Sequence, residues 1–201
     1  MVGIARFSRV CASIAVGILM PLSSYATTIG FEEFADGQSI SNQIAGLTFT
    51  NATVLEAGSS LNEFDFPPRS GVKAVVDDGG PLSILFASDM STFSAFFTYT
   101  TQLTLRAYDG SDTLVDSASS LFASNYVSSG TVGSSPNELL AVDFAGGIRR
   151  IEVFGAMSGQ TFIMDDASYA VAQVPEPGSA LLAATALVLA AGARRRGSAR
   201  A

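Results

Sequence analysis

Residues 27–172 predict an all-β fold, an antiparallel two-sheet sandwich of the jelly-roll kind with an up-and-down barrel as the alternative closure. Three observations carry that reading. Short segments rich in Phe, Val, Ile, Thr and Leu recur along the chain, turn-forming clusters separate them, and no stretch keeps helical periodicity for three turns. In order, the segments fall at 28–34, 46–50, 72–76, 82–86, 93–99, 103–108, 113–117, 139–144, 148–154 and 161–169. The clearest is 103–108, where Leu103, Leu105 and Ala107 alternate with Gln102, Thr104 and Arg106, as a half-buried antiparallel strand requires. Asp78-Gly79-Gly80-Pro81 and Asp109-Gly110-Ser111-Asp112 carry hairpin chemistry: glycine supplies positive φ and aspartate caps the turn. Pro67-Pro68 and Ser134-Ser135-Pro136 mark longer loops. The serine-rich stretch 117–135 is interrupted by Leu121, Phe122, Tyr126 and Val127, so it reads as strand and loop, not as a disordered stalk.

This body has the length of one ordinary domain, large enough for a single core without staples. Its charge is lopsided. Of the chain's 18 acidic residues only Glu176 lies outside 27–174, whereas Arg6, Arg9, Arg194, Arg195, Arg196 and Arg200 do among the 11 basic ones, leaving 17 acids against 5 bases, net −12. Such a surface repels phosphates and argues against a nucleic-acid partner.

Both ends of the chain read as addresses. Arg6 and Arg9 form a positive leader, residues 14–22 an apolar run, and Ser24-Tyr25-Ala26 places small residues where a signal peptidase reads, so 1–26 is expected to be a signal peptide cleaved after Ala26. Cys11, the only cysteine, precedes the apolar run and leaves with it, so the mature protein carries neither disulfide nor thiol chemistry. At the other end Gln173 to Gly178 form a linker, an uncharged helix-forming run follows at 178–193, and Arg194-Arg195-Arg196 close it. At about 1.5 Å per residue the run reaches roughly 24 Å, a marginal membrane span whose basic end stays on the cytoplasmic side.

Pro175-Glu176-Pro177, the apolar run and the arginine cluster, in that order at the chain end, resemble the PEP-CTERM sorting signal of exported bacterial proteins. The resemblance implies processing of the 173–201 tail by an exosortase, transient membrane association, and delivery to the cell surface or an exopolysaccharide matrix. Residues 197–201 extend past the arginines, a mild departure from the pattern.

A second, less specific resemblance covers 27–170. Phe31-Glu32-Glu33-Phe34, Gly46-Leu47-Thr48-Phe49 and Phe162-Ile163-Met164-Asp165-Asp166 are similar to the outer strands of jelly-roll domains of exported proteins, carbohydrate-binding modules among them. In such folds the first and last strands lie side by side, which implies that Glu32 or Glu33 approaches Asp165 or Asp166. Four carboxylates together suit a structural calcium, which needs only oxygen ligands; solvent-exposed strand ends are the alternative.

Chemistry outside that site is thin. Without histidine or a mature cysteine, the Ser-His-Asp, Cys-His and ordinary zinc arrangements are unavailable. Paired carboxylates for a glycan hydrolase exist in abundance, Glu56, Glu63, Asp65, Asp77, Asp78 and Asp143 among them, but in so acidic a chain pairs arise by chance. Glycan binding is the stronger alternative. Tryptophan is absent, so a stacking platform would fall to Tyr99, Tyr108, Tyr126 or Tyr169, with Tyr126 beside Asn125 as the candidate, while Phe93, Phe96 and Phe97 read as core. Asn51-Ala52-Thr53 matches a glycosylation sequon, read as coincidence. The expectation is therefore a non-enzymatic, exported surface or matrix protein with no obligatory cofactor; a calcium-assisted carbohydrate-binding module and a small glycan hydrolase are the alternatives.

Overall fold

The computed structural model describes residues 26–172; the segment expected to be a signal peptide, apart from Ala26, and the segment expected to be a sorting tail with its apolar helix at 178–193 lie outside the described residues. The body is all-β. Nine strands form one antiparallel sheet: β1 Ala26–Ile29, β2 Leu47–Thr50, β3 Ala52–Glu56, β4 Lys73–Asp77, β5 Leu82–Tyr99, β6 Thr104–Tyr108, β7 Leu114–Ser119, β8 Glu138–Phe154 and β9 Phe162–Val171. The path runs β3-β4-β9-β5-β8-β6-β7, with β1 paired to β9 and β2 to β5. Apart from a 3-10 turn at Val127–Ser129, the described residues contain no helix, and none long and apolar enough to cross a membrane.

Two strands are far longer than the sequence suggests, because segments expected to be separate are continuous. β5 joins 82–86 to 93–99 through Ala87, Ser88 and Asp89, which contain no glycine or proline to force a turn; the ladder bulges there instead. β8 joins its two halves opposite that point. Gly147, at φ 102°, fits because a Cβ there would come within 2.8 Å of Asp89 Cβ. Arg149 ties the two irregularities together, donating from Nε to Asp89 Oδ1 at 2.9 Å and from Nη1 to the Ala87 carbonyl at 2.9 Å.

At these bulges the sheet changes neighbours. Leu82 to Leu85 of β5 lie between β2 and the second half of β8, which continues to β6 and β7. Past the bulge, β5 lies between β9 and the first half of β8. Inward residues of both parts belong to one buried cluster: Val54, Val75, Phe93, Phe97, Leu140, Phe162 and Met164 from one, Phe49, Ile84, Phe86, Leu105, Ile151 and Val153 from the other. Phe97 meets Phe162 edge-on at 5.8 Å, and Phe86 meets Phe93 at 6.2 Å. Each such ring removes enough apolar area to stabilise the fold by roughly 1.5–3 kcal/mol.

The first expected strand, 28–34, ends early. β1 stops at Ile29, and Phe31 to Phe34 form a turn in which the Phe34 N–H bonds the Phe31 carbonyl at 3.3 Å. The spacing explains it: Phe31 and Phe34 are three residues apart, so an extended strand would send them to opposite faces, whereas the turn buries both. Phe31 accepts φ 63° and packs edge-on against Phe49 at 6.3 Å. β3 was not expected at all. It forms because Val54 alternates inward between Thr53 and Leu55, and residues 37–40 cover its free edge through Gly37 N–H to the Val54 carbonyl, Val54 N–H to the Gln38 carbonyl and Ile40 N–H to the Ala52 carbonyl.

Candidate functional site

The outer face of β3, β4 and β9 carries a second, smaller apolar cluster. Leu61, Ala74 and Ile163 are buried there, with Leu55, Phe66 and Val76 packed against them. A strap, residues 57–72, passes over this face and leaves a groove of about 350 Å³. Its floor is Leu55, Leu61, Phe66, Val76, Phe162 and Ile163; its rim is Thr53, Ser60, Asn62, Asp78 and Gln160.

Side chains from distant parts of the chain hold the strap, those of Asp165, Asn137 and Ser128 among them. Asp165 on β9 is 1 % exposed and accepts through Oδ2 from the N–H groups of Arg69 at 2.7 Å and Ser70 at 2.9 Å, while Oδ1 accepts from Asp166 N–H at 2.7 Å. Burial pushes this carboxyl up to about 6, against the pull of those donors and with a smaller contribution from neighbouring Asp166. Asn137 donates to the Pro67 carbonyl at 3.1 Å. Asp65 accepts from the Ser128 hydroxyl and N–H and from Asn62 Nδ2 at 3.1 Å; the Ser128 hydroxyl chiefly holds its carboxyl below the ordinary value. Phe66 stacks on Tyr126 with ring centres 5.7 Å apart, and the Arg69 guanidinium lies 4.4 Å above the Phe96 ring.

The opposite rim is fixed by Asp77, wholly buried at the end of β4. It accepts from Thr161 N–H at 2.7 Å, the Thr161 hydroxyl at 2.9 Å and Phe162 N–H at 3.0 Å, and desolvation raises its carboxyl above the usual range. Its backbone carbonyl also accepts from Gln160 N–H at 2.6 Å. Gly159 permits this close approach, since a Cβ would sit 3.0 Å from Gly79 Cα and 3.1 Å from the Asp77 carbonyl oxygen. Gln160 is thereby held at φ 56°, a left-handed conformation uncommon outside glycine, with its side chain at the groove.

The acids proposed for calcium, Glu32, Glu33, Asp165 and Asp166, lie just past the paired stretch of β1 and β9, which runs from Ala26 and Ala170 to Ile29 and Ala167. Their oxygens, however, serve other donors. Glu32 Oε1 accepts from Val72 N–H at 3.1 Å and Lys73 N–H at 3.0 Å, and Asp166 Oδ1 accepts from the Ser70 hydroxyl at 2.7 Å. With both oxygens of Asp165 on backbone N–H groups and Glu33 exposed in the 31–34 turn, the arrangement clamps the strap's end and leaves a cation few ligands. Among the described residues no group of three His, Cys, Asp or Glu is arranged for a metal.

The carboxylates weighed for hydrolysis are likewise distributed. Glu56 pairs with Lys73 at 3.7 Å, Glu63 accepts from Gly58 N–H at 3.0 Å, and Asp77 faces inward to Thr161. Asp143 donates its backbone N–H to Asp116 Oδ2 at 2.8 Å. Of that group Asp78 alone lines the groove, accepting from the Thr53 hydroxyl at 2.9 Å. The expected platform also differs. Asn125 is buried, accepting from Tyr99 N–H at 2.7 Å and donating to the Phe97 and Ser135 carbonyls at 2.9 and 3.1 Å, so it pins a loop instead of facing a ligand. Tyr126 stacks on the strap's Phe66, and Tyr99 is in the core with its hydroxyl on Glu138, burial lifting it to about 12. The sequon's Asn51 donates its amide to the Pro81 carbonyl at 2.9 Å. Ala26 pairs with Ala170 at the head of β1; Pro175, Glu176, Pro177, Arg194, Arg195 and Arg196 lie outside the described residues.

No protein family and no curated protein matches this chain. Among solved structures it is similar to the K2 cleaved adhesin domain of Lys-gingipain, at 12% identity and TM-score 0.47, covering 72% of this chain and 99% of that one. A DUF4465 family protein from Bacteroides caccae is similar at 10% identity and TM-score 0.49, covering 73% and 99%. A family 29 carbohydrate binding module follows at 14% identity and TM-score 0.39, covering 74% and 90%. At such distances the groove itself has to supply any functional reading.

Proposed function

We propose that this protein is an exported, non-enzymatic component of the cell surface or extracellular matrix, and that its β body binds glycan in the groove beneath the strap. The carrying observation is the groove's composition: an apolar floor of Leu55, Leu61, Phe66, Val76 and Ile163 with hydroxyl, amide and carboxylate groups confined to the rim. Sugars present alternating apolar faces and hydroxyl edges, and a pocket that binds them needs both kinds of surface. The body closes as a two-layer sandwich of jelly-roll type; the neighbour change at the β5 and β8 bulges and the single core cluster support that closure.

Localisation follows from the ends. Cleavage after Ala26, recognition of Pro175-Glu176-Pro177 by an exosortase-like enzyme, and a basic stop at Arg194 to Arg196 bring the body to the outside through a transient membrane stage. Calcium assistance is a separate proposal: it requires Glu32, Glu33, Asp165 and Asp166 to exchange N–H donors for a cation, and its sign would be a melting midpoint raised by calcium and lowered by chelator.

Retention of the purified full chain on the producing cell's own exopolysaccharide, with soluble exopolysaccharide as competitor, tests the glycan reading. Retention that the competitor abolishes is expected. A normally melting protein that is not retained would refute it and leave association to the sorting tail.

A further inference from the structure

Within the groove one residue has no structural reason to be what it is. Gln160 occupies a left-handed conformation that glycine would adopt without strain, its side chain is exposed, and that side chain makes no hydrogen bond among the described residues. Yet its backbone is held from both sides by Asp77, through the Gln160 N–H and the Thr161 N–H, and Gly159 lies tight against the 77–79 turn. A strained position that the surroundings over-determine, carrying an unengaged amide at the mouth of a groove, is arranged to present that amide.

Its partner on the rim is Asp78. One oxygen accepts from the Thr53 hydroxyl, and no hydrogen bond among the described residues uses the other. No cationic side chain lines the groove. The rim therefore offers one amide able to donate and accept and one carboxylate able only to accept, so it suits a ligand rich in donors and repels one that carries its own carboxylate.

We infer that Gln160 and Asp78 are the residues with which the groove reads its ligand, and that this ligand is an amino sugar with a free amine, preferred over its N-acetylated form and over uronic-acid glycans. The inference rests on the glycan reading above and names the sugar class. The ammonium takes the free oxygen of Asp78, the Gln160 amide takes a neighbouring ring hydroxyl, and the ring's apolar face lies on the floor formed by Val76 and Ile163.

The test compares retention of the full chain on glucosamine oligomers, N-acetylglucosamine oligomers and a polyuronate. The parent should favour them in that order. Gln160→Gly should keep or raise the melting midpoint while lowering glucosamine retention about tenfold, the loss of one or two hydrogen bonds. That variant preserves net charge, so undiminished retention would mean the acidic body binds polycations without the groove and would overturn the inference. Asp78→Asn should bring the free and acetylated sugars to equal retention; a preference that survives it overturns the role of Asp78. Polyuronate as the best ligand, or no retention of any of the three by a folded protein that still binds the exopolysaccharide, would overturn the sugar class while leaving the glycan reading intact, whereas loss of exopolysaccharide retention as well would remove both.

Discussion

The two faces of the β3-β4-β9 region are built from the same strands and held by opposite means. Inward, Val54, Val75, Phe162 and Met164 join a large continuous cluster whose cohesion is apolar burial. Outward, three buried residues and a few partners form a thin layer, and the strap above it is held by carboxylates and amides gathering backbone N–H and C=O groups. Non-directional burial tolerates small displacements and ignores pH. A strap suspended on Asp165 and Asn137 depends on single atoms. The groove belongs to the second kind of construction, so its shape should be separable from the stability of the body.

The sharpest way to break this contrast is to attack each face in turn. Phe97→Ala, in the inner cluster against Phe162, should cost about 3–5 kcal/mol and lower the denaturant midpoint of the whole body. Asp165→Ala should cost less, about 2–3 kcal/mol, by orphaning the N–H groups of Arg69, Ser70 and Asp166. Its signature is local: amide exchange at 69–72 should accelerate well beyond exchange in β5. Equal acceleration in both places would mean that strap and core unfold as one unit.

A third expectation concerns pH. The Asp165 carboxyl is raised from 3.8 to about 6, so between those values the folded body holds a proton that the unfolded chain has released. Its contribution is full below about pH 4 and disappears as pH rises through about 6; Asp77, also raised, acts in the same direction. Asp36, Glu63 and Asp65 are lowered and act oppositely, losing their contribution only as pH falls below the ordinary carboxylate range. Urea midpoints from pH 4 to 7 should therefore fall with pH in the parent and fall less in Asp165→Asn. The smallest effect is expected far from the groove, where Arg106 lies 4.3 Å over the Phe154 ring on the outer side of β6 and β8. Arg106→Ala should cost about 0.5–1 kcal/mol and leave strap exchange unchanged.

Much of this architecture could be read in advance where local pattern and tertiary burial agree. Leu105 and Ala107 alternate with Thr104, Arg106 and Tyr108, and β6 forms where that alternation places it. Pattern failed where the reason was remote. The pair Phe31 and Phe34 looks like a strand until one asks which face each ring must reach, and Ala87 to Asp89 look like a break until β8 supplies Gly147 and Arg149 opposite. The groove was hidden for the same reason. Asp77 was one acid among many; only its bonds to residues 84 and 85 positions later set it apart. Gln160 stood in a stretch that reads as a plain turn, and a glutamine after glycine with φ above zero has no signature in sequence alone.

The pairing of β1 with β9 also sets a schedule. Thr28 and Ser168 share a hydrogen bond of 2.6 Å across 140 positions, so the first of the described strands waits for the last of them. Until β9 is present, β1, the strand leading into Phe31, has no ladder to join among the described strands. Closure of so distant a pair is slow compared with local hairpins. A chain made amino end first thus stays open along that edge until β9 arrives, and interruption before β9 leaves β1 without its ladder.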